Sequence, residues 1–241
     1  MRGSGKPLPR ATRGLGRNVI ISGFVSLLMD AGSEMIYPLI PIFLSSALGV
    51  SKSVIGLIEG IAEATAGILK SYSGWLSDRT ARRKPLMIAG YCMSTLSRPV
   101  LALAGAWPQA LAARFMDRTG KGIRGAPRDA LIAVSTDHRQ MGRAFGFHRM
   151  MDTVGAGIGP LAAAAILAAS ASDYRLVFWC SIIPGALAVL TIILFISDIP
   201  HTPGSAHAQP PRLSLSAFGF RYKAFLLVAT VFMLAQGVDA T

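Results

Sequence analysis

The chain has 241 residues, 52% of them hydrophobic and only 15% charged, with a mean hydropathy of +0.49. Soluble domains carry about a quarter of their residues as Asp, Glu, Lys and Arg, so this composition excludes an ordinary soluble domain. The formal charge of +12 would suit nucleic acid. However, the cations sit between apolar segments, not on a basic face with aromatics to stack bases, so no nucleic-acid partner is expected.

In chain order, residues 1–17 hold Arg2, Lys6, Arg10, Arg13 and Arg17 and read as a basic cytoplasmic N-terminus. The apolar run after them continues to about Leu48 with no cleavage signal, so it reads as a retained helix, not a signal peptide. A spanning helix needs about 20 mostly apolar residues. Six segments meet that length, at 18–47, 54–76, 85–106, 108–134, 144–170 and 175–197. The region 18–197 is therefore expected to be an all-α, multi-pass membrane unit embedded in the lipid bilayer. Residues 198–222, rich in Pro, Ser, Ala and His (His201 and His207 among them), read as a cytoplasmic linker. Residues 223–241 read as the start of a seventh helix, cut short at Thr241. With the N-terminus inside, the inner side collects Arg79, Arg82, Arg83, Lys84, Arg139, Arg143, Arg212, Arg221 and Lys223, and the outer loops only Lys52 and Arg175. The positive-inside rule thus favours six crossings of a plasma (inner) membrane with a cytoplasmic N-terminus. Cys92 and Cys180 lie in different apolar segments and form no C-x-x-C pair or disulfide framework.

The membrane segments are unusually charged. Helix one carries Asp30 and Glu34, and helix two carries Glu59, Glu63 and Lys70. Arg98 sits mid-helix three, and His148, Arg149 and Asp152 sit near the start of helix five. Helix four holds Arg114, Asp117, Arg118, Lys121, Arg124, Arg128 and Asp129. At 100° per residue these seven fall within an arc of about 140°. One charged face in a bilayer must meet a cavity or partners, because each lone charge there costs several kcal/mol. Two readings stand. In one, the helix-four cations form an anion site; in the other, the acids of helices one, two and five neutralise them as structural pairs. A buried carboxylate among such cations can also take up a proton, with Asp30 the first choice and Glu34 the second.

The stretch Gly74-Trp75-Leu76-Ser77-Asp78-Arg79-Thr80-Ala81-Arg82-Arg83-Lys84-Pro85-Leu86, read as a loop, resembles the G-x-L-[AS]-D-R-x-G-R-R-x-x-L signature of the major facilitator superfamily. Ala81 departs from it, standing where the family usually has Gly. The stretch from Gly155 through Gly159 and Pro160 to Ala164 resembles the family's antiporter signature, with Ala163 and Ala164 replacing the final glycines. Physically, Gly and Ala permit close helix packing and Pro a kink. The family's helix-four signature begins with an Arg, which aligns with Arg114 or, alternatively, Arg118 ahead of Gly122. The resemblance covers 18–197 and places the chain near a prokaryotic drug/metabolite antiporter-like subgroup.

That resemblance implies the six-helix N-terminal bundle of a twelve-helix fold, truncated in helix seven, with a C-terminal six-helix half expected as its partner. It implies a cytoplasmic gate at Gly74, Asp78, Arg79, Arg82 and Arg83, and coupling or substrate contact at the helix-four Arg. The expected function is secondary active transport, not enzymatic catalysis: proton-coupled export of a small organic solute by alternating access, with no cofactor and no metal. Asp30 would carry the proton and Arg114 would couple it. Uptake or exchange of an anionic metabolite is the alternative, and a non-transporting membrane scaffold or sensor is the alternative of another class. No phosphate loop is present, because Gly155, Gly157 and Gly159 lack the strand-to-helix context of a dinucleotide site.

Overall fold

The computed structural model describes residues 15–199 except Ala81, and beyond them Gly219, Ala224 and Val228. The readings for residues 1–14, most of the 198–222 linker with both its histidines, and nearly all of 223–241 lie outside the described residues. Residues 1–201 form one compact unit and 202–241 a second. In the second, Ala224 and Val228 are helical. The first unit holds the helical bundle.

Among residues 15–199, as described, seven α-helices make six rods: α1 Arg17–Ile36, α2 Leu39–Ser46, α3 Lys52–Thr80, α4 Arg83–Ala102, α5 Trp107–Val134, α6 Met141–Ala169 and α7 Tyr174–Phe195, with a 3-10 turn at His138–Gln140. The first segment, read as one helix over 18–47, is broken at Tyr37–Pro38, because proline lacks an N–H and clashes with the preceding turn. Among the described residues three rods are apolar and long enough to cross a membrane by length and composition: Arg17–Ser46, His138–Ala169 and Tyr174–Phe195. The remaining three, of 29, 20 and 28 residues, carry most of the membrane charges.

Local chemistry sets the ends. Asp173 caps α7, its carboxylate accepting from the N–H of Arg175 at 2.9 Å and Leu176 at 3.3 Å. Gln109 reaches back from the first turn of α5 to accept from the N–H of Gly105 at 2.6 Å. Pro85 falls in the first turn of α4.

α1 runs against α6 and α7, and α5 lies between α3 and α4, which itself meets α7. The α1–α6 seam is a glycine crossing: a Cβ on Gly155 would stand 2.5 Å from the Leu27 carbonyl oxygen, and one on Gly159 2.5 Å from that of Ala31. One apolar cluster, including Phe43 edge-on to Phe178 at 5.3 Å, closes the α2 end. Two others, around Met87–Tyr91–Ile192 and Val19–Ile132–Phe147, fill the opposite end. Large apolar side chains such as Ile68, Leu161 and Ile183 face outward, as lipid contact demands.

At that opposite end Asn18 donates to the Ser197 carbonyl at 3.0 Å and the Ser135 hydroxyl at 3.3 Å. Asp198 accepts from the N–H groups of Arg83 at 3.2 Å and Lys84 at 3.1 Å. Asp198, read as the first residue of a free linker, therefore belongs to the bundle. The reason is physical: the first N–H groups of α4 need an acceptor, and Arg82 at the N-cap position supplies none.

Candidate functional site

Between the apolar ends lies a polar middle layer with two adjoining cavities. The first, about 300 Å³, is lined by Asp30, Ser33, Glu34, Tyr37, Glu63, Ser97, Arg98, Arg114, Asp117, Arg118, Lys121 and Arg124. The second, about 520 Å³, shares Asp30, Glu34, Glu63, Lys121 and Arg124 with it and adds Lys70, Arg128, Arg149 and Asp152. Glu59, Asp129 and His148 line neither, and Glu59 holds Arg114.

The helix-four charges are paired only in part. Arg114 grips Glu59 through two parallel bonds, Nε at 2.8 Å and Nη2 at 2.5 Å, and also faces Asp117 at 3.7 Å. Arg118 meets Glu63 at 3.3 Å, but its buried Nε has no hydrogen-bond partner. These two pairs tie α3 to α5. Arg128 pairs with its neighbour Asp129 at 3.0 Å. Arg124 donates to the Ser94 hydroxyl at 2.5 Å and lies over the Tyr91 ring at 4.7 Å. Among the described residues Asp30, Glu34, Lys70 and Lys121 take part in no ion pair. The acids of α1 therefore do not neutralise α5 by contact, and unpaired charges of both signs line the cavities.

Arg98 is 2% exposed. It donates to the carbonyl oxygens of Ser181 and, at 3.3 Å, of Met29, and so bolts α4 to α7 and α1 at the cavity floor. Gly32 and Gly185 leave it room. A Cβ at either position would crowd the guanidinium, and at Gly32 it would also stand 2.9 Å from the Ser181 carbonyl oxygen.

A family model described as the Major Facilitator Superfamily matches residues 22–240. The chain belongs to that superfamily. It is a family of transporters, not of enzymes. An uncharacterised MFS-type transporter of Methanocaldococcus jannaschii is 32% identical over 224 residues, 93% of this chain and 55% of its own. Multidrug resistance protein MdtH of Photorhabdus laumondii is 29% identical over 185 residues, 76% of this chain and 44% of its own. The peptide transporter POT, solved in complex with sulfate, is 14% identical with a TM-score of 0.66, over 93% of this chain and 46% of that one, and so shares its fold. The chain thus spans about half the length of the curated relatives it matches.

The superfamily's signature stretch is mostly helix, not loop. α3 runs on through Thr80, so Gly74, Asp78 and Arg79 belong to its final turns, and only residues 81 and 82 connect it to α4. The Thr80 hydroxyl donates to the Leu76 carbonyl at 2.8 Å, and Arg79 covers the Trp75 ring at 5.3 Å, which extends the helix past its apolar part. Arg82 is exposed and Arg83 is buried, its backbone held by Asp198. Asp78 is exposed and pairs with none of Arg79, Arg82 and Arg83. The cluster lies apart from both cavities.

Sequence reasoning missed Tyr37, whose ring is flanked by the guanidiniums of Arg114 and Arg118, each 5.3 Å away. An aromatic immediately before Pro38 was the available signal, since the helix break turns that ring into the cavity. Ser94, Tyr91 and Asp198 left no such mark. Among the described residues no group of His, Cys, Asp and Glu is arranged to hold a metal ion, and both cysteines are free.

Proposed function

We propose that this chain is the N-terminal half of a secondary active transporter that exports a small organic solute in exchange for protons by alternating access. The single observation that carries the reading is the polar cavity wall on which Asp30 and Glu34 stand unpaired beside the Arg114–Glu59 and Arg118–Glu63 pairs. A carboxylate in such a place gains or loses a proton without a bonded partner to break, and its charge changes what the neighbouring cations attract. Asp30 takes the proton, and Arg114 couples its arrival to the solute. Export is supported by the likeness to a protein named for multidrug resistance. A second six-helix half supplies the facing wall, since alternating access needs two repeats rocking about a site near the midplane. Asp78 and Arg82 act at the gate on the cytoplasmic side of the inner membrane, an orientation supported by the excess of Lys and Arg at that end.

The test is a proton-driven flux assay on the full-length protein in liposomes with a panel of drug-like solutes, comparing wild type, Asp30→Asn and Arg114→Ala. Loss of pH-driven flux in both variants is expected. Undiminished proton-driven flux in both would overturn the assignment.

The unpaired Lys121 and the partnerless Nε of Arg118 favour a second reading, uptake or exchange of an anionic metabolite. Competition of transport by carboxylates but not by their esters, abolished in Lys121→Gln, selects it.

A further inference from the structure

His148 has no part in the transport scheme. It sits on α6 at the α1–α6 seam, 3% exposed, one turn before Asp152. Its Nδ1 faces the Asp152 Oδ1 at 3.4 Å, and both atoms are buried without a hydrogen-bond partner. On the other side Nε2 lies 3.5 Å from the Ser26 hydroxyl, which accepts from Arg128 at 3.3 Å. The charged or polar groups facing this ring are Ser26 on α1, Arg128 and Asp129 on α5, and Asp152 with the solvent-directed Arg149 on α6. Asp30 of α1 lines the same cavity as Asp152.

The arrangement suits a reversible proton. In the neutral ring the proton sits on Nε2 and is donated to the Ser26 hydroxyl oxygen, leaving the Nδ1 lone pair toward Asp152. When a proton is added at Nδ1, Nε2 keeps its bond to that oxygen, which has lone pairs for both it and Arg128, and Nδ1 becomes a donor to Asp152. No partner is lost in either state, and the imidazolium then sits against a carboxylate. Asp152 lines the 520 Å³ cavity and His148 does not. The carboxylate is thus the link between cavity water and the ring.

We infer that His148 and Asp152 form a second proton-binding site, set behind the cavity wall and fed through Asp152. The proton leaves a hydronium in the cavity, protonates the Asp152 carboxylate and passes from its oxygen to Nδ1, breaking the O–H bond as the N–H bond forms. It moves on by the reverse path toward Asp30 on the same wall. The site rests on the proton-coupled reading for its purpose, but not for its existence.

The test needs no solute. The full-length protein, with histidine ring nitrogens isotopically labelled, is titrated in lipid nanodiscs and the ring signals are followed by NMR between about pH 5 and pH 9. The His148 signal is assigned by its loss in His148→Gln and by its persistence in a chain whose every other histidine is glutamine. A reversible change from neutral ring to imidazolium is expected, with Asp152→Asn weakening proton binding about tenfold, one unit on the pH axis. A ring that stays neutral throughout, or titrates identically in Asp152→Asn, overturns the site. Proton-driven flux alongside a silent His148 refutes this inference and leaves the transport reading standing. A titrating His148 with flux indifferent to the pH gradient supports the site and refutes proton coupling.

Discussion

Two glycines on the same helix, two residues apart, are expected to respond in opposite directions to the same substitution. A Cβ on Gly155 would lie 2.5 Å from the Leu27 carbonyl oxygen and 3.1 Å from the Ala31 nitrogen, whereas ordinary contact begins at 3.4 Å. The obstacle is backbone, so no side chain can swing aside, and the seam is pinned one turn away where Gly159 meets Ala31. Gly155→Ala must push α1 and α6 apart by roughly 0.9 Å, the shortfall from ordinary contact, and overpacking of this kind costs about 1–3 kcal/mol. Gly157 has nothing within 4 Å of the same added atom. There Ala replaces a residue that weakens helices, a gain of about 0.5–1 kcal/mol. Detergent-solubilised full-length protein, unfolded in a denaturant series and followed by helical circular dichroism, measures both. The midpoint falls for Gly155→Ala and holds or rises for Gly157→Ala. Equal shifts of the same sign would refute the view that this stretch is a packing seam.

The Arg114–Glu59 bond predicts non-additivity: Arg114→Gln and Glu59→Gln each destabilise by about 2–3 kcal/mol, below the full cost of breaking a buried pair because Glu59 is 28% exposed. The double variant recovers about 1–2 kcal/mol of the sum in the same unfolding series, and simple additivity would deny the pair any coupling. Asp198→Ala removes the acceptor at the start of α4 and costs about 1 kcal/mol, seen as faster hydrogen exchange at the Arg83 and Lys84 amides. Tyr37→Ala removes the ring between two guanidiniums and costs about 1–2 kcal/mol of solute affinity in equilibrium binding, while Tyr37→Phe keeps most of it.

Much of the fold was legible because its signals are additive along the chain. The apolar lengths and the placement of Lys and Arg located every rod to within four residues at its described ends, apart from the Pro38 break. The charged arc of α5 required its face to meet a cavity or partners, since an arc of about 140° cannot be shared with lipid. What the sequence could not reveal was pairing. Glu59 and Glu63 are one turn apart on α3 and reach Arg114 and Arg118, one turn apart on α5, whereas Asp30 and Glu34 have the same spacing on α1 and reach no partner. Spacing within a helix fixes the face, and only the crossing of two helices decides which charges meet. The end of α3 was misread for a related reason. Asp78 and Arg79 look like loop residues by composition, yet the helix continues beyond its apolar part with its polar side chains exposed.

The central claim is that an unpaired carboxylate on this cavity wall links solute movement to protons. It is tested most directly by reversing the pH gradient across liposomes that hold the full-length protein and following one transported solute. Proton-coupled export predicts that solute accumulates on the acidic side, that accumulation switches sides with the gradient, and that Asp30→Asn equilibrates the solute without accumulating it. Accumulation that ignores the gradient, or persists at wild-type level in Asp30→Asn, would contradict it.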